Sequence, residues 1–255
     1  MQTSVRALRP YGLDLRAHLT RPGGEHPVVI VHGIGASHGY SALFQRAVAA
    51  SRPSVSLDLP GFGGTAKPPA PLSVEGYARV IASALDRLGV TGATVFGHSM
   101  GAQFATELAL IRPELVGELV VAGPVVDPER RSGVRQALAL LRDISREPPA
   151  VNLPQTAAYL QCGPVWFLRE LGPMLRYRIE EAAAGVRQPV LVMRGENDPI
   201  ARLDWCRRLT ASYPDARLVE VAGARHVLQQ ARPEVVAEHV LRFSAGIAPA
   251  AGASS

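Results

Sequence analysis

The sequence predicts an α/β protein, a mostly parallel β-sheet doubly wound by helices, with one helical insertion. Two observations carry this expectation. Short apolar runs alternate with helical patterns along most of the 255 residues, and strand–helix alternation of this length is the pattern of a parallel sheet covered on both faces. One stretch, residues 124–188, breaks the rhythm: it holds helical patterns separated by prolines and glycines and no convincing strand. The length suits one domain of generous size, which buries roughly 70–75% of its unfolded surface.

Leu13–Thr20 alternates apolar and polar residues, as a half-exposed strand does. Pro27–Gly33, "PVVIVHG", is continuously apolar, as a strand covered on both faces is. Ser54–Gly61, Ala93–Ser99, Glu118–Gly123, Pro189–Gly195 and Arg217–Gly223 repeat that theme. Helical patterns lie between and beyond them, around Tyr40–Ala50, Val74–Leu88, Met100–Ile111, Ala201–Ser212 and Pro233–Phe243. The expected organisation is a core of residues 1–123 and 189–244, a helical cap over 124–188 and a small-residue, chargeless tail over 245–255 that reads as disordered. Within the cap, "SGVRQALALLRDI", "QTAAYLQCG", "VWFLRELG" and "MLRYRIEEAAAG" read as short helices. Such an insertion cannot extend the sheet, but it can cover the strand ends.

Composition excludes several classes. The net charge is +5, and Lys67 is the single lysine among 27 basic residues. The arginines are scattered, without a basic stripe interleaved with aromatics, so no nucleic-acid partner is expected. Two separated cysteines, Cys162 and Cys206, support neither a disulfide framework nor a zinc site, and no metal or cofactor is expected. The N-terminus lacks the apolar segment of a secretory signal, and no apolar stretch reaches the ~18 residues of a membrane span. The expectation is a cytoplasmic protein acting as a monomer or homodimer.

The most informative stretch is "VFGHSMGAQFATELAL", Val95–Leu110. An apolar strand ends and a helix begins at once, with Ser99 between Gly97 and Gly101. The glycines remove the Cβ atoms that would collide in so sharp a turn. The turn lifts the serine hydroxyl above the sheet and places the Met100 N–H at a helix N-terminus, where amides lack intrahelical partners. Gly-x-Ser-x-Gly between strand and helix is the nucleophile-elbow pattern. A hydroxyl needs a base, and the base needs an orienting acid. His226 follows one strand in "VEVAGARHVL", and Asp198 follows another in "VLVMRGENDPI". Asp127, after "ELVVAG", is a second candidate acid; Asp198 is preferred because Pro199 stiffens its loop. "HGIGAS", His32–Ser37, follows the first buried strand, and the Ile34 N–H is expected to join the Met100 N–H as an oxyanion donor.

The sequence resembles the α/β-hydrolase superfamily, in the branch with His-Gly-x-Gly and a helical cap. The resemblance spans Leu13 to Phe243 and rests on "HGIG" (His32–Gly35), "DLPGFGGT" (Asp58–Thr65), "GHSMGA" (Gly97–Ala102), "RGENDPI" (Arg194–Ile200) and "GARHVLQQARP" (Gly223–Pro233). It implies an eight-stranded sheet and a triad in the chain order Ser99, Asp198, His226. Two departures are Tyr40, where many relatives carry tryptophan, and Gln230, where many carry glutamate. The implied activity is hydrolysis of a carboxylic ester of a small to medium hydrophobic acyl or aromatic substrate through an acyl-enzyme. C–C bond hydrolysis of a vinylogous diketone, thioester hydrolysis and small-molecule binding with little turnover remain alternatives. His32, Gly33, Tyr40, Trp166 and Phe167 are the residues expected to face the substrate, in a pocket largely apolar with a few polar groups.

Overall fold

The computed structural model describes residues 3–20, 26–132, 146 and 149–246. Eight strands form one sheet: β1 Thr3–Leu8, β2 Leu15–Thr20, β3 Val28–Val31, β4 Ser54–Asp58, β5 Ala93–His98, β6 Val116–Ala122, β7 Val190–Gly195 and β8 Ala216–Val221. Their spatial order is β1-β2-β4-β3-β5-β6-β7-β8. β2 runs antiparallel to both of its neighbours, and every pairing from β4 to β8 is parallel. The seven expected strands are present. The eighth, β1, has no apolar run because it lies at the sheet edge with nearly every residue exposed.

Residues on successive strand positions point to opposite faces, and the core divides accordingly. Val29 and Val31 join one apolar cluster, while Val28 and Ile30 join another. Helices α2 (Val74–Leu88), α3 (Met100–Ile111) and α7 (Leu203–Ser212) cover the first face; α1 (His38–Val48) and α9 (Pro233–Ser244) cover the second. A four-residue helix, α8 (Leu228–Ala231), precedes α9. The ends of α2 follow its sequence: Ser73 Oγ accepts the Gly76 N–H at 3.0 Å, and Gly89 closes the helix at φ 67°, the left-handed geometry a glycine adopts freely. Ala245 and Gly246, expected to begin a disordered tail, instead form the turn that ends α9. Residues 247–255 of that tail, and 133–144 of the expected first cap helix, lie outside the described residues.

Between β6 and β7 the described chain holds α4 (Pro149–Cys162), α5 (Pro164–Arg176) and α6 (Ile179–Ala182). The pattern read as one helix over Met174–Gly185 is broken at Tyr177, whose ψ of 135° is extended. The insertion is fastened to the body by polar contacts at buried and half-buried positions. Gln103 Nε2 on α3 donates to the carbonyls of Val125 and Met174 at 3.1 and 3.0 Å, and Tyr177 Oη donates to Glu107 Oε2 at 2.8 Å. Tyr77 Oη on α2 donates to Glu170 Oε1 on α5 at 2.7 Å.

Glu170 is fully buried, and burial pushes its carboxyl up to about 7 although the Tyr77 hydrogen bond favours the charged form. Tyr77 and, more distantly, Cys162 are the titratable groups around it. Between its ordinary value of 4.5 and about 7, the folded state holds a proton that the unfolded state has lost, so stability falls as pH rises through that window. Glu170→Gln keeps an acceptor for Tyr77 and does not titrate. Its melting temperature relative to the parent protein should rise by a few degrees on going from pH 5 to pH 8, as read by thermal denaturation. A difference independent of pH would show that the carboxyl is charged throughout.

Candidate active site

Ser99 sits between β5 and α3 with φ 56° and ψ −120°. A non-glycine residue with positive φ costs of order 1–3 kcal/mol and persists only where its surroundings impose it. The surroundings here are other backbones. The Ser99 N–H is held by the carbonyl of Ala122 on β6 at 2.9 Å. A Cβ on Gly97 would lie 2.3 Å from the carbonyl oxygen of Gly101, and one on Gly101 would lie 2.4 Å from that of Val31. Gly33 faces Ser99 directly: a Cβ there would come within 2.9 Å of the serine Cβ.

His226 Nε2 lies 3.2 Å from Ser99 Oγ, and its Nδ1 lies 2.9 Å from Asp198 Oδ2. A carboxylate only accepts, so Nδ1 carries the proton and the bare Nε2 faces the hydroxyl. Asp198 Oδ1 also accepts the N–H groups of Ile200 and Ala201 at 2.7 and 2.9 Å. Burial opposes a charge on Asp198, but the imidazole, its hydrogen bond and the two amides together hold the carboxyl below its ordinary value. Asp127 is elsewhere: its Oδ1 accepts the Glu129 N–H and pairs with Arg208 at 2.9 Å.

Above Ser99 lies a cavity. Ile34, Tyr40, Val125, Tyr159, Phe167 and Met174 contribute to its wall, and no Asp, Glu, Lys or Arg lines it among the described residues. Gly33, Tyr40 and Phe167 line it. His32 and Trp166 do not. His32 is buried under the β3–α1 loop, where Nδ1 donates to the Gly33 carbonyl at 2.8 Å and Nε2 accepts the Leu59 N–H at 3.2 Å; burial lowers its pKa. Trp166 is buried on the body side of α5, its indole lying over Gly61. On the amphipathic α5 the two neighbours diverge by about 100°, Trp166 settling on Gly61 and Phe167 on Gly35 at the cavity, which their shared apolar character did not reveal. Met100 opens α3, so its N–H is free of intrahelical partners, and Ile34 lies on the cavity wall.

A model of the Alpha/beta hydrolase family matches residues 28–239. The chain belongs to the alpha/beta hydrolase family. It is 26% identical over 259 residues to a putative carbamate hydrolase RutD of Caulobacter segnis, covering 92% of this chain and 97% of that one. It is also 26% identical over 245 residues to a poly(3-hydroxyalkanoate) depolymerase of Ectopseudomonas oleovorans, covering 88% of this chain and 86% of the relative. The crystal structure of an enol-lactonase from Burkholderia xenovorans superposes with a TM-score of 0.81 at 20% identity, covering 94% of this chain and all of that one, a likeness of fold.

Asp58 is a residue of this hydrolase whose place the sequence did not disclose. It ends β4; Oδ1 accepts the His38 N–H at the start of α1 at 2.6 Å, and Oδ2 pairs with His18 Nε2 at 2.8 Å. Burial works against its charge, yet the His18 and His38 hydrogen bonds keep its pKa low. Asp58 and Leu59 therefore hold the β3–α1 loop at both ends, through His38 and His32. The motif around Asp58 was visible in the sequence, but the partners are 20 and 40 residues away.

The backbone contacts at the elbow yield a test. In Gly101→Ala the new methyl meets the carbonyls of Val31 and His32, neither of which can give way. Overpacking of this kind costs typically 1–3 kcal/mol, so a lower melting temperature and at least about a tenfold slower reaction with a fluorophosphonate probe are expected. Gly39→Ala, where the nearest atom is Ser37 Oγ at 3.8 Å, should leave labelling unchanged. Equal behaviour of the two variants would refute the packing account.

Proposed function

We propose that this hydrolase cleaves a carboxylic ester of an uncharged, small to medium hydrophobic substrate through an acyl-enzyme. The observation that carries the reading is the Ser99–His226–Asp198 hydrogen-bonded chain opening onto a cavity without a charged side chain among the described residues. Ser99 Oγ attacks the ester carbonyl as its proton passes to His226 Nε2. Asp198 stabilises the imidazolium and holds its tautomer. The oxyanion is met by the N–H groups of Met100 and Ile34. The tetrahedral species collapses, His226 returns the proton to the departing alcohol oxygen, and the acyl group remains on Ser99. Water, deprotonated by His226, then releases the acid and restores the hydroxyl.

The neutral wall bears on the alternatives. A dienone acid, the substrate type of the C–C reading, carries a carboxylate, and an unpaired carboxylate in an apolar pocket is costly. Arg and Lys are absent from the described lining, which favours neutral esters. A panel of neutral p-nitrophenyl esters of graded chain length, a thioester, a carbamate ester and a dienone acid tests this ordering; the carbamate is included because relatives are named as carbamate hydrolases. Faster turnover of the acid than of every neutral ester would reverse the reading.

Ser99→Ala should abolish hydrolysis and fluorophosphonate labelling, since loss of a triad serine costs on the order of 10⁶ in kcat. Asp198→Asn should lower kcat by about 10³–10⁴, while Asp127→Asn, which touches only the Arg208 pairing and the adjacent turn, should cost less than about tenfold. Steady-state kinetics on one neutral ester decides the acid: reversed losses would move the role to Asp127.

Selectivity should reside in α4 and α5. Phe167→Ala enlarges the cavity and should move the preferred acyl chain to greater length. Trp166→Ala removes a buried indole and should cost about 3–5 kcal/mol of stability with little change in the chain-length profile. The profile and the denaturant midpoint of each variant separate the two roles.

A further inference from the structure

His98 precedes Ser99 and ends β5. It is almost fully buried, and its ring lies 4.9 Å from that of His226 and 5.6 Å from that of Tyr40, centroid to centroid. Its Nε2 is 2.9 Å from the main-chain carbonyl oxygen of His226. A carbonyl only accepts, so Nε2 is the protonated nitrogen. Nδ1 is then bare, and it is buried without a hydrogen-bond partner among the described residues. An unpartnered buried acceptor costs roughly 1–3 kcal/mol. An apolar side chain would avoid that cost, but it would leave the His226 carbonyl without this donor.

The position of that carbonyl matters to the chemistry. His226 lies in the loop after β8, three strands along the sheet from β5. The neighbouring backbone bonds fix residues on either side of it: Ala224 N–H to the Val221 carbonyl, Asn197 N–H to the Ala224 carbonyl, and Gln230 N–H to the Val227 carbonyl. The His98 bond fixes the peptide unit of His226 itself. Because His98 and Ser99 are adjacent, it also closes a short ring: the hydroxyl of Ser99, the backbone to the His98 imidazole, the His226 carbonyl and the His226 imidazole returning to the hydroxyl. The base is thereby tied to the nucleophile's own strand, independently of Asp198.

We propose that His98 is a positioning residue, whose Nε2–H donates to the His226 carbonyl and sets the approach of the His226 ring to Ser99 Oγ. The inference rests on the serine-hydrolase reading above. The donor persists across the working pH range. Burial, with the neighbouring His226, lowers the His98 pKa to about 3, so the ring stays neutral while His226 gains and loses its proton.

The test compares His98→Gln, which offers an N–H donor on a chain of similar reach, with His98→Leu and His98→Met, which offer none. Ser99→Ala is run beside them, and kinetics use a neutral p-nitrophenyl ester. A displacement of about 1 Å at a reacting group can cost on the order of 10²-fold. The Leu and Met variants should therefore lose about 10–100-fold in kcat and in fluorophosphonate labelling rate, with KM within about twofold. The Gln variant should recover most of the rate. The midpoint of the acid limb of the pH–rate profile should not move, since a neutral ring is being replaced. Circular dichroism and melting temperature identify folded variants, and Met serves if Leu does not fold. A folded donorless variant with kcat within about twofold of the parent, or a folded Gln variant as impaired as a donorless one, would overturn the proposal. If Ser99→Ala is inactive in either event, only the role of His98 falls. Activity retained by Ser99→Ala would instead remove the functional reading on which it rests.

Discussion

Ser99 can hold a left-handed backbone conformation because several backbones approach it more closely than side chains would allow. Gly97 and Gly101 let the end of β5 and the start of α3 meet, Gly101 lets α3 settle on the end of β3, and Gly33 lets the next loop lie against the serine itself. The parallel register of β3, β5 and β6 supplies the frame, with Val31 opposite Gly97 and Gly97 opposite Val121. Without that frame the strained turn would relax. The hydroxyl, the first amide of α3 and the β3–α1 loop would then no longer converge on one point. The other parts of the site are arranged around this fixed point. Asp198 and His226 arrive on loops after β7 and β8, and Asp58 and His32 hold the loop after β3.

Much of this was legible in the sequence because the constraint is local. A tight strand-to-helix turn demands glycines at fixed offsets from the serine, and a strand buried on both faces must read as a continuous apolar run. Seven strands and the five main helices carry such signatures. β1 does not, because an edge strand exposed on both sides has no apolar face to display. His32 and Trp166 were misplaced for a related reason. Both lie beside residues that do reach the cavity, and side chains one position apart on a strand end or a helix diverge by a large angle. The functions of Asp58 and His98 were illegible because their hydrogen bonds join segments 20 to 128 residues apart. No spacing within a motif encodes such a partner.

The electrostatics of the site are asymmetric. Charge and hydrogen bonding are concentrated beneath and beside Ser99, where Asp198 is satisfied by an imidazole and two amides. On the substrate side the described wall is aromatic and aliphatic. A low-dielectric wall strengthens the interaction of a developing oxyanion with backbone dipoles. It also raises the cost of bringing in a charge that has no partner. On the proposed function, reactivity and discrimination against ionised ligands share one physical origin.

Part of the seam between insertion and body is made of rings resting on bare backbone. Tyr159 and Phe167 lie against Gly35, where an added Cβ would fall 2.4 Å and 3.0 Å from their atoms, and Trp166 lies against Gly61. Glycine surfaces impose little shape of their own, so on this side the contour of the cavity is written by Tyr159 and Phe167 of the overlying helices. Ser99, His226 and Asp198, by contrast, lie at the strand ends and in the loops of the sheet. On the proposed function, change in α4 and α5 redraws part of what is admitted while Ser99, His226 and Asp198 stay in place, so that ligand preference and catalytic competence can diverge along separate lines of descent.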